Sequence, residues 1–283
     1  MSFPMNWNLP EYRKRLEESV AYLREQWGEA PGWAVVFGSG LGRAFADKNP
    51  PDQKVSYEAV PHFHQPEVEG HPGIFSLWEA KKTFPAKGVA LQGRLHYYQG
   101  LSAAEVVFPV RALARWGIRR FILTNASGSI HPRFKPGSLA LIADHLNLTG
   151  HNPLRGPNSD FLGPRFPSLN GLYLNPFSKG CIKQAQRLKL GLLKAVYVGI
   201  SGPSYETPAE VAAFRKLGGH LVGMSTVDEA IALAQAGAEL LALSAVTNRA
   251  GSGEDPDHRQ VLRTAAKLDT RLGRLLAATL KHS

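Results

Sequence analysis

Apolar residues recur at spacings of three and four from Leu9 onward, at Tyr12, Leu16, Val20, Leu23 and Trp27, which predicts an amphipathic helix stopped near Gly28. The period then changes. Trp33-Ala34-Val35-Val36-Phe37 is an unbroken apolar run suited to a strand buried on both faces, and it breaks into Gly38-Ser39-Gly40. Similar short runs predict strands at Ile74 to Trp78, Val89 to Leu91, Phe121 to Leu123, Leu139 to Ile142 and Val196 to Val198, with further runs at His220 to Val222 and Leu240 to Val246. Between them lie helix starts with a stated chemistry. Ser102-Ala103-Ala104-Glu105 and Thr207-Pro208-Ala209-Glu210 are capping boxes, the second with proline at the first helical position. The first is expected to open a helix running to about Trp116, and the segment 150–180 reads as loop-rich. A last helix starts near His258, with Val261, Leu262, Ala265, Leu268, Leu272 and Leu275 on one stripe.

Alternating strands and helices predict an α/β fold. No polar Pro/Gly-rich linker divides the chain, so one domain over residues 1–283 is expected rather than two. Most predicted strands end in a cluster of Gly, Ser, Asn, Arg, His or Glu. Ligands of α/β sheets bind beyond the carboxyl ends of strands, so these clusters are expected to converge on one site.

Composition narrows the class. The net charge of +10 and pI near 9.8 raise the question of nucleic acid, but the basic residues are scattered and not interleaved with aromatics, so none is expected as a partner. There is no uncharged apolar stretch of bilayer length and no secretory pattern at Met1 to Trp7, and the single cysteine, Cys181, fits a reducing cytoplasm. The ten histidines show no metal-ligand spacing. His64 and His71 fall in an expected mobile loop and receive no role.

Gly38-Ser39-Gly40-Leu41-Gly42 follows a strand and can offer backbone N–H groups and a hydroxyl to an anion, or be an ordinary tight turn. It is not a dinucleotide fingerprint, because Arg43 stands where the third glycine belongs. In Gln92-Gly93-Arg94-Leu95-His96-Tyr97-Tyr98, extended alternation would put Arg94, His96 and Tyr98 on one side, bringing a fork donor, a second donor and a phenol within one reach. Tyr205-Glu206 and Thr247-Asn248 offer a flat ring, a carboxylate and an amide for a heterocyclic base, although Glu206 also suits a helix start and Asn248 a turn. In Gly223-Met224-Ser225-Thr226 a hydroxyl can meet phosphate at a helix N-terminus or simply cap it.

Taken in order, these segments, with Thr124-Asn125-Ala126-Ser127-Gly128 and Asn152-Pro153-Leu154-Arg155-Gly156-Pro157-Asn158, resemble the trimeric purine nucleoside phosphorylases, the branch shared with methylthioadenosine phosphorylases. The resemblance spans about Val35 to His258. It implies a single-domain α/β fold with a twisted mixed sheet flanked by helices on both faces. It also implies phosphate binding by Ser39, Arg94, His96, the Ala126 backbone N–H and Ser225; ribose contacts by Tyr98, Met224 and His258; and base contacts by Tyr205, Glu206 and Asn248. Asn248, Glu206 and His96 would carry the catalysis, with inorganic phosphate as co-substrate and no cofactor. The Glu206/Asn248 pair matches 6-oxopurines such as inosine and guanosine. A homotrimer is implied too, in which the aromatic that these enzymes lend to a neighbouring site falls at Leu162, beside Phe161. The alternatives are a methylthioadenosine or broad-specificity phosphorylase and a non-catalytic nucleoside-binding protein.

Overall fold

A computed structural model describes residues 8–251 and 258–282, apart from the side chain of His258. The first predicted helix is α1 (Leu9–Trp27), and Asn8 caps it by accepting from the Glu11 N–H. Its periodic stripe is the buried face, with Leu16 and Leu23 fully inaccessible, each contributing about 1.5–3 kcal/mol. Chain order then runs β1 (Trp33–Phe37), α2 (Arg43–Lys48), β2 (Gln53–Ser56), β3 (Ile74–Trp78), β4 (Gly88–Gln92), α3 (Ala103–Val106), α4 (Phe108–Trp116), β5 (Arg120–Ser129) and β6 (Leu139–Asn147). It continues with α5 (Pro176–Arg187), β7 (Leu192–Gly199), α6 (Pro208–Lys216), β8 (Leu221–Gly223), α7 (Val227–Gln235), β9 (Glu239–Arg249) and α8 (His258–Lys281).

Several expectations needed revision. The helix foreseen from Ser102 to Trp116 keeps its capping box but breaks at Val107. Pro109, in the first turn of α4, has no N–H to continue the ladder. α5 was not foreseen; it begins with Asn175 as N-cap and Pro176 at its first turn. The strands also run longer than their apolar cores, because β9 pairs with β5 in parallel from Arg120↔Glu239 to Ser129↔Arg249. Asn125, Ala126, Thr247 and Asn248 therefore lie within strands rather than after them.

The sheet is mixed, in the order β2-β3-β4-β1-β5-β8-β7-β6-β9, and the extra β5–β9 pairing closes its last five strands into a ring. Both faces are covered. Ala34 and Val36 of β1 join a core with α1, α4 and α7, while Trp33, Val35 and Phe37 face the opposite core with Phe45 of α2, Cys181 of α5 and the α8 stripe. That alternation explains why β1 is apolar at every position. No described helix is long and apolar enough to cross a membrane.

One consequence of this topology positions the site. Along one edge of β5, β1 pairs at Phe121 to Leu123 and β8 pairs only at Gly128 and Ser129. Between them, residues 124–127 have no strand on that edge. A polar cleft opens there.

Candidate active site

The cleft encloses about 660 Å³ including its mouth, and it brings together Ser39, Arg94, His96, Tyr98, Ala126, Tyr205, Glu206, Met224, Ser225 and Asn248. These are all the candidates named from the sequence except His258, whose side chain lies outside the described residues. Val261, one turn further along α8, does line the cleft.

Ser39 comes from the turn after β1. Gly38 is required there because a Cβ would stand 2.7 Å from the Asn125 Cα and 2.8 Å from the Thr124 carbonyl. Its N–H instead donates to Thr124 Oγ1 at 3.0 Å. The far end of the turn is held from α8: the carboxylate of Asp269 accepts from the Gly42 N–H at 2.7 Å and the Ala44 N–H at 2.6 Å. Burial pushes this carboxyl upward, and those backbone donors oppose the shift.

His71 is 6% exposed. Its Nδ1 accepts from the Arg94 backbone N–H at 3.1 Å, and its Nε2 lies 2.8 Å from Ser39 Oγ. An accepting Nδ1 carries no proton, so in the neutral ring the hydrogen sits on Nε2 and donates to Ser39. The Ser39 hydroxyl hydrogen is then left to turn toward an anion.

The segment after β4 is not a strand, yet its side chains alternate as expected. Leu95 is buried, Tyr97 turns outward to stack on His151 with centroids 3.9 Å apart, and Arg94, His96 and Tyr98 face the cleft. A short 3₁₀ turn at Tyr97–Gln99 continues the offset. His96 stacks on Tyr98 at 4.7 Å and 19°. Burial, then the neighbouring Tyr205, pushes the Tyr98 phenol up to about 12 against the influence of Arg94, so it remains a neutral donor.

Arg94 is less free than an open fork. Its Nε donates to both Glu229 oxygens at 3.0 Å and its Nη1 to the Thr124 carbonyl at 2.7 Å. Glu229, 4% exposed on the first turn of α7, carried no sequence signal beyond a helix-start carboxylate.

Ser225 and Thr226 precede α7. Thr226, at φ 74°, makes no side-chain cap and instead accepts from Asn125 Nδ2 at 2.8 Å, which removes the simple capping alternative for that hydroxyl. Elsewhere in the cleft, Thr247 Oγ1 stands 2.9 Å from Asn248 Oδ1 and 3.2 Å from the Ser127 carbonyl. The hydroxyl has one hydrogen for these two acceptors, and with Oδ1 facing Thr247 the Asn248 Nδ2 lies on the other side of the amide. The loop after β7 presents Tyr205, 40% exposed, and Glu206, half-buried. Burial raises the Glu206 carboxyl above the ordinary range; its own backbone N–H opposes this and Glu210 adds to it.

The residues foreseen as reaching a neighbouring subunit are engaged within this chain. Leu162 is 7% exposed and packed in the α1/α4/α7 core. Phe161 lies beneath Arg13 and Arg115, whose guanidinium carbons are 4.7 and 4.0 Å from its ring centroid. Among the described residues no cluster of three or more His, Cys, Asp or Glu is arranged to hold a metal ion.

Comparison with known proteins gives consistent matches. The sequence profile of the phosphorylase superfamily matches residues 34–281. The chain is 38% identical to purine nucleoside phosphorylase 1 of Bacillus subtilis (strain 168) over 268 residues, covering 94% of this chain and 97% of that protein. It is 35% identical to the purine nucleoside phosphorylase of Rattus norvegicus over 257 residues, 87% of each chain. Among solved structures, Schistosoma mansoni purine nucleoside phosphorylase in complex with inosine superposes with a TM-score of 0.87 at 28% identity, covering 95% of this chain and 96% of that one.

Proposed function

The chain belongs to the purine nucleoside phosphorylase family, whose members are pentosyltransferases, and from that premise we propose that it cleaves 6-oxopurine nucleosides with inorganic phosphate. The products are free base and pentose 1-phosphate, a purine-salvage reaction. One observation carries the reading: the side chains proposed for the anion and those proposed for the base all line one cleft at the unpaired edge of β5.

Ser39, Arg94, His96, Ser225 and the Ala126 backbone N–H hold phosphate, and Tyr98 and Met224 pack on the sugar. A phosphate oxygen forms a bond to C1′ as the C1′–N9 bond breaks, and the bonding pair leaves with the purine. The sugar then has oxocarbenium character, as in glycoside hydrolysis, and the phosphate anion beside it is its electrostatic partner. Asn248 Nδ2 donates to N7 as the base gains electron density, while the Glu206 carboxylate accepts from N1–H. In this reading Asn248, Glu206 and His96 are the catalytic residues, and all three line the cleft.

Specificity follows from the same groups. Hypoxanthine and guanine carry an N1–H for Glu206, and their N7 and O6 both suit an amide donor. Adenine has no N1–H, and its 6-amino group would face that donor. Inosine and guanosine are therefore expected to release base only when phosphate is present, with adenosine cleaved poorly. Asn248→Asp should shift preference toward 6-aminopurines; an unchanged preference removes the specificity reading. A panel of inosine, guanosine, adenosine and methylthioadenosine, with and without phosphate, tests both levels. Absence of phosphate-dependent release from every nucleoside sinks the enzyme reading and favours a binding protein. The assembly expected is a cytoplasmic homotrimer, measured by light scattering.

A further inference from the structure

Arg94 and Glu229 form a buried ion pair at the phosphate end of the cleft, with side chains 1% and 5% exposed and Arg94 Nη2 2.8 Å from Glu229 Oε2. A guanidinium has five N–H bonds in one plane. The Nε–H is shared by the two Glu229 oxygens, and one Nη1 hydrogen goes to the Thr124 carbonyl. Nη2, although beside Oε2, has no aligned hydrogen-bond acceptor. The hydrogens not given to Glu229 or to Thr124 therefore lie at the Nη1 and Nη2 tip of the guanidinium. Arg94 lines the cleft, and Glu229 is behind it.

We infer that Glu229 is the positioning residue of phosphate recognition: its carboxylate clamps one edge of the Arg94 guanidinium and so holds the tip of that group in place for the incoming anion. The inference rests on the phosphate reading above. Arginine has many rotamers, and an unclamped Arg94 would lose that freedom whenever phosphate bound. With Glu229 present the loss is already incurred in the free protein. The clamp also has a fixed footing, since Glu229 belongs to the first turn of α7, where the helix N-terminus favours a carboxylate.

The isosteric Glu229→Gln keeps the packing but sets an amide NH₂ against two guanidinium donors. It is expected to raise KM for inorganic phosphate by roughly 10- to 100-fold, the size of a charge-assisted hydrogen bond. KM for inosine should stay within about twofold. Glu229→Asp, which retains the charge, should recover part of the loss. Asp228 is the control: it is the adjacent acid on the same turn, and it pairs at 2.8 Å with His151 instead of Arg94. Asp228→Asn loosens the same turn without touching the clamp, so it should lower Tm but spare the phosphate KM.

Three results overturn the inference: a phosphate KM within about twofold of wild type in Glu229→Gln, a parallel rise in both KM values, or an equal phosphate effect in Asp228→Asn. If Glu229→Gln does not fold, the rise in Tm produced by inorganic phosphate decides the matter in Glu229→Asp. A smaller rise than in wild type supports the clamp, and an equal one overturns it. A wild-type protein that shows neither phosphate-dependent base release nor a phosphate-induced Tm rise removes the phosphate reading itself, and the inference with it.

Discussion

Two parts of the cleft are built differently. Around Arg94 and Ser39, the proposed phosphate end, side chains are held by other buried groups: Arg94 by Glu229 and Thr124, Ser39 by His71, and the turn that carries Ser39 by Asp269. On the loop after β7, part of the proposed base end, Tyr205 is 40% exposed and Glu206 is half-buried, and its neighbours Pro203, Ser204 and Thr207 are exposed. Cross-bracing suits a small, invariant co-substrate, because fixed donors need no reorganisation as charge develops. A looser base end suits a ligand that contributes area and stacking of its own.

Removing a braced group should therefore cost more than removing an unbraced one. Arg94→Ala is expected to lower kcat/KM for phosphate by about 10³-fold, the upper range for one preorganised donor. It should also cost about 3–5 kcal/mol of stability, because Glu229 would be left buried without its partner. Steady-state kinetics with phosphate varied and urea unfolding measure the two effects. Glu206→Ala should reduce kcat/KM for inosine by about 10- to 100-fold, the range for a charge-assisted hydrogen bond, with the phosphate KM unchanged. Its unfolding free energy should fall by much less than that of Arg94→Ala. A larger stability loss at Glu206 would break the contrast between the two ends.

The smallest effect is in pH dependence. In the proposed role Glu206 would accept from N1–H only as a carboxylate, and burial holds its pKa above the ordinary 4.5. At saturating phosphate, kcat/KM for inosine should fall as pH drops through that raised value, and Glu206→Gln should remove this acid limb while lowering the plateau. The stability contribution has the opposite sense. A carboxyl raised in the folded state stabilises fully below its unfolded pKa, and this contribution is lost as pH rises through the folded one. Glu206→Gln should flatten that slope as well.

Much of this molecule was legible locally. The stripe of α1, the apolar run of β1 and the capping boxes at Ser102 and Thr207 depend on neighbours a few residues apart, and each appears at its expected place. The polar clusters were legible as well, because their residue types follow one another along the chain. Their partners were not. Glu229 lies 135 residues from Arg94, and Asp269 lies 227 residues from Gly42. In sequence each is an acid on an amphipathic helix, with nothing to distinguish it from a solvated one. His71 is illegible for a related reason: the segment around it has no periodicity, and only the folded chain brings it to the Arg94 backbone and Ser39.

Periodicity and caps thus determined by themselves that the protein is α/β, and the order of the polar clusters carried the family resemblance that names candidates for phosphate, sugar and base. Tertiary structure decided where they meet. The β5–β9 pairing closes a ring of five strands, and β1 and β8 cover different parts of one β5 edge, which leaves residues 124–127 open as the floor of the cleft. Helix caps and apolar periods are energies of adjacent turns, so they can be read along the chain. Strand order and buried charge pairing are settled only when distant segments compete for the same edge and the same desolvated partner.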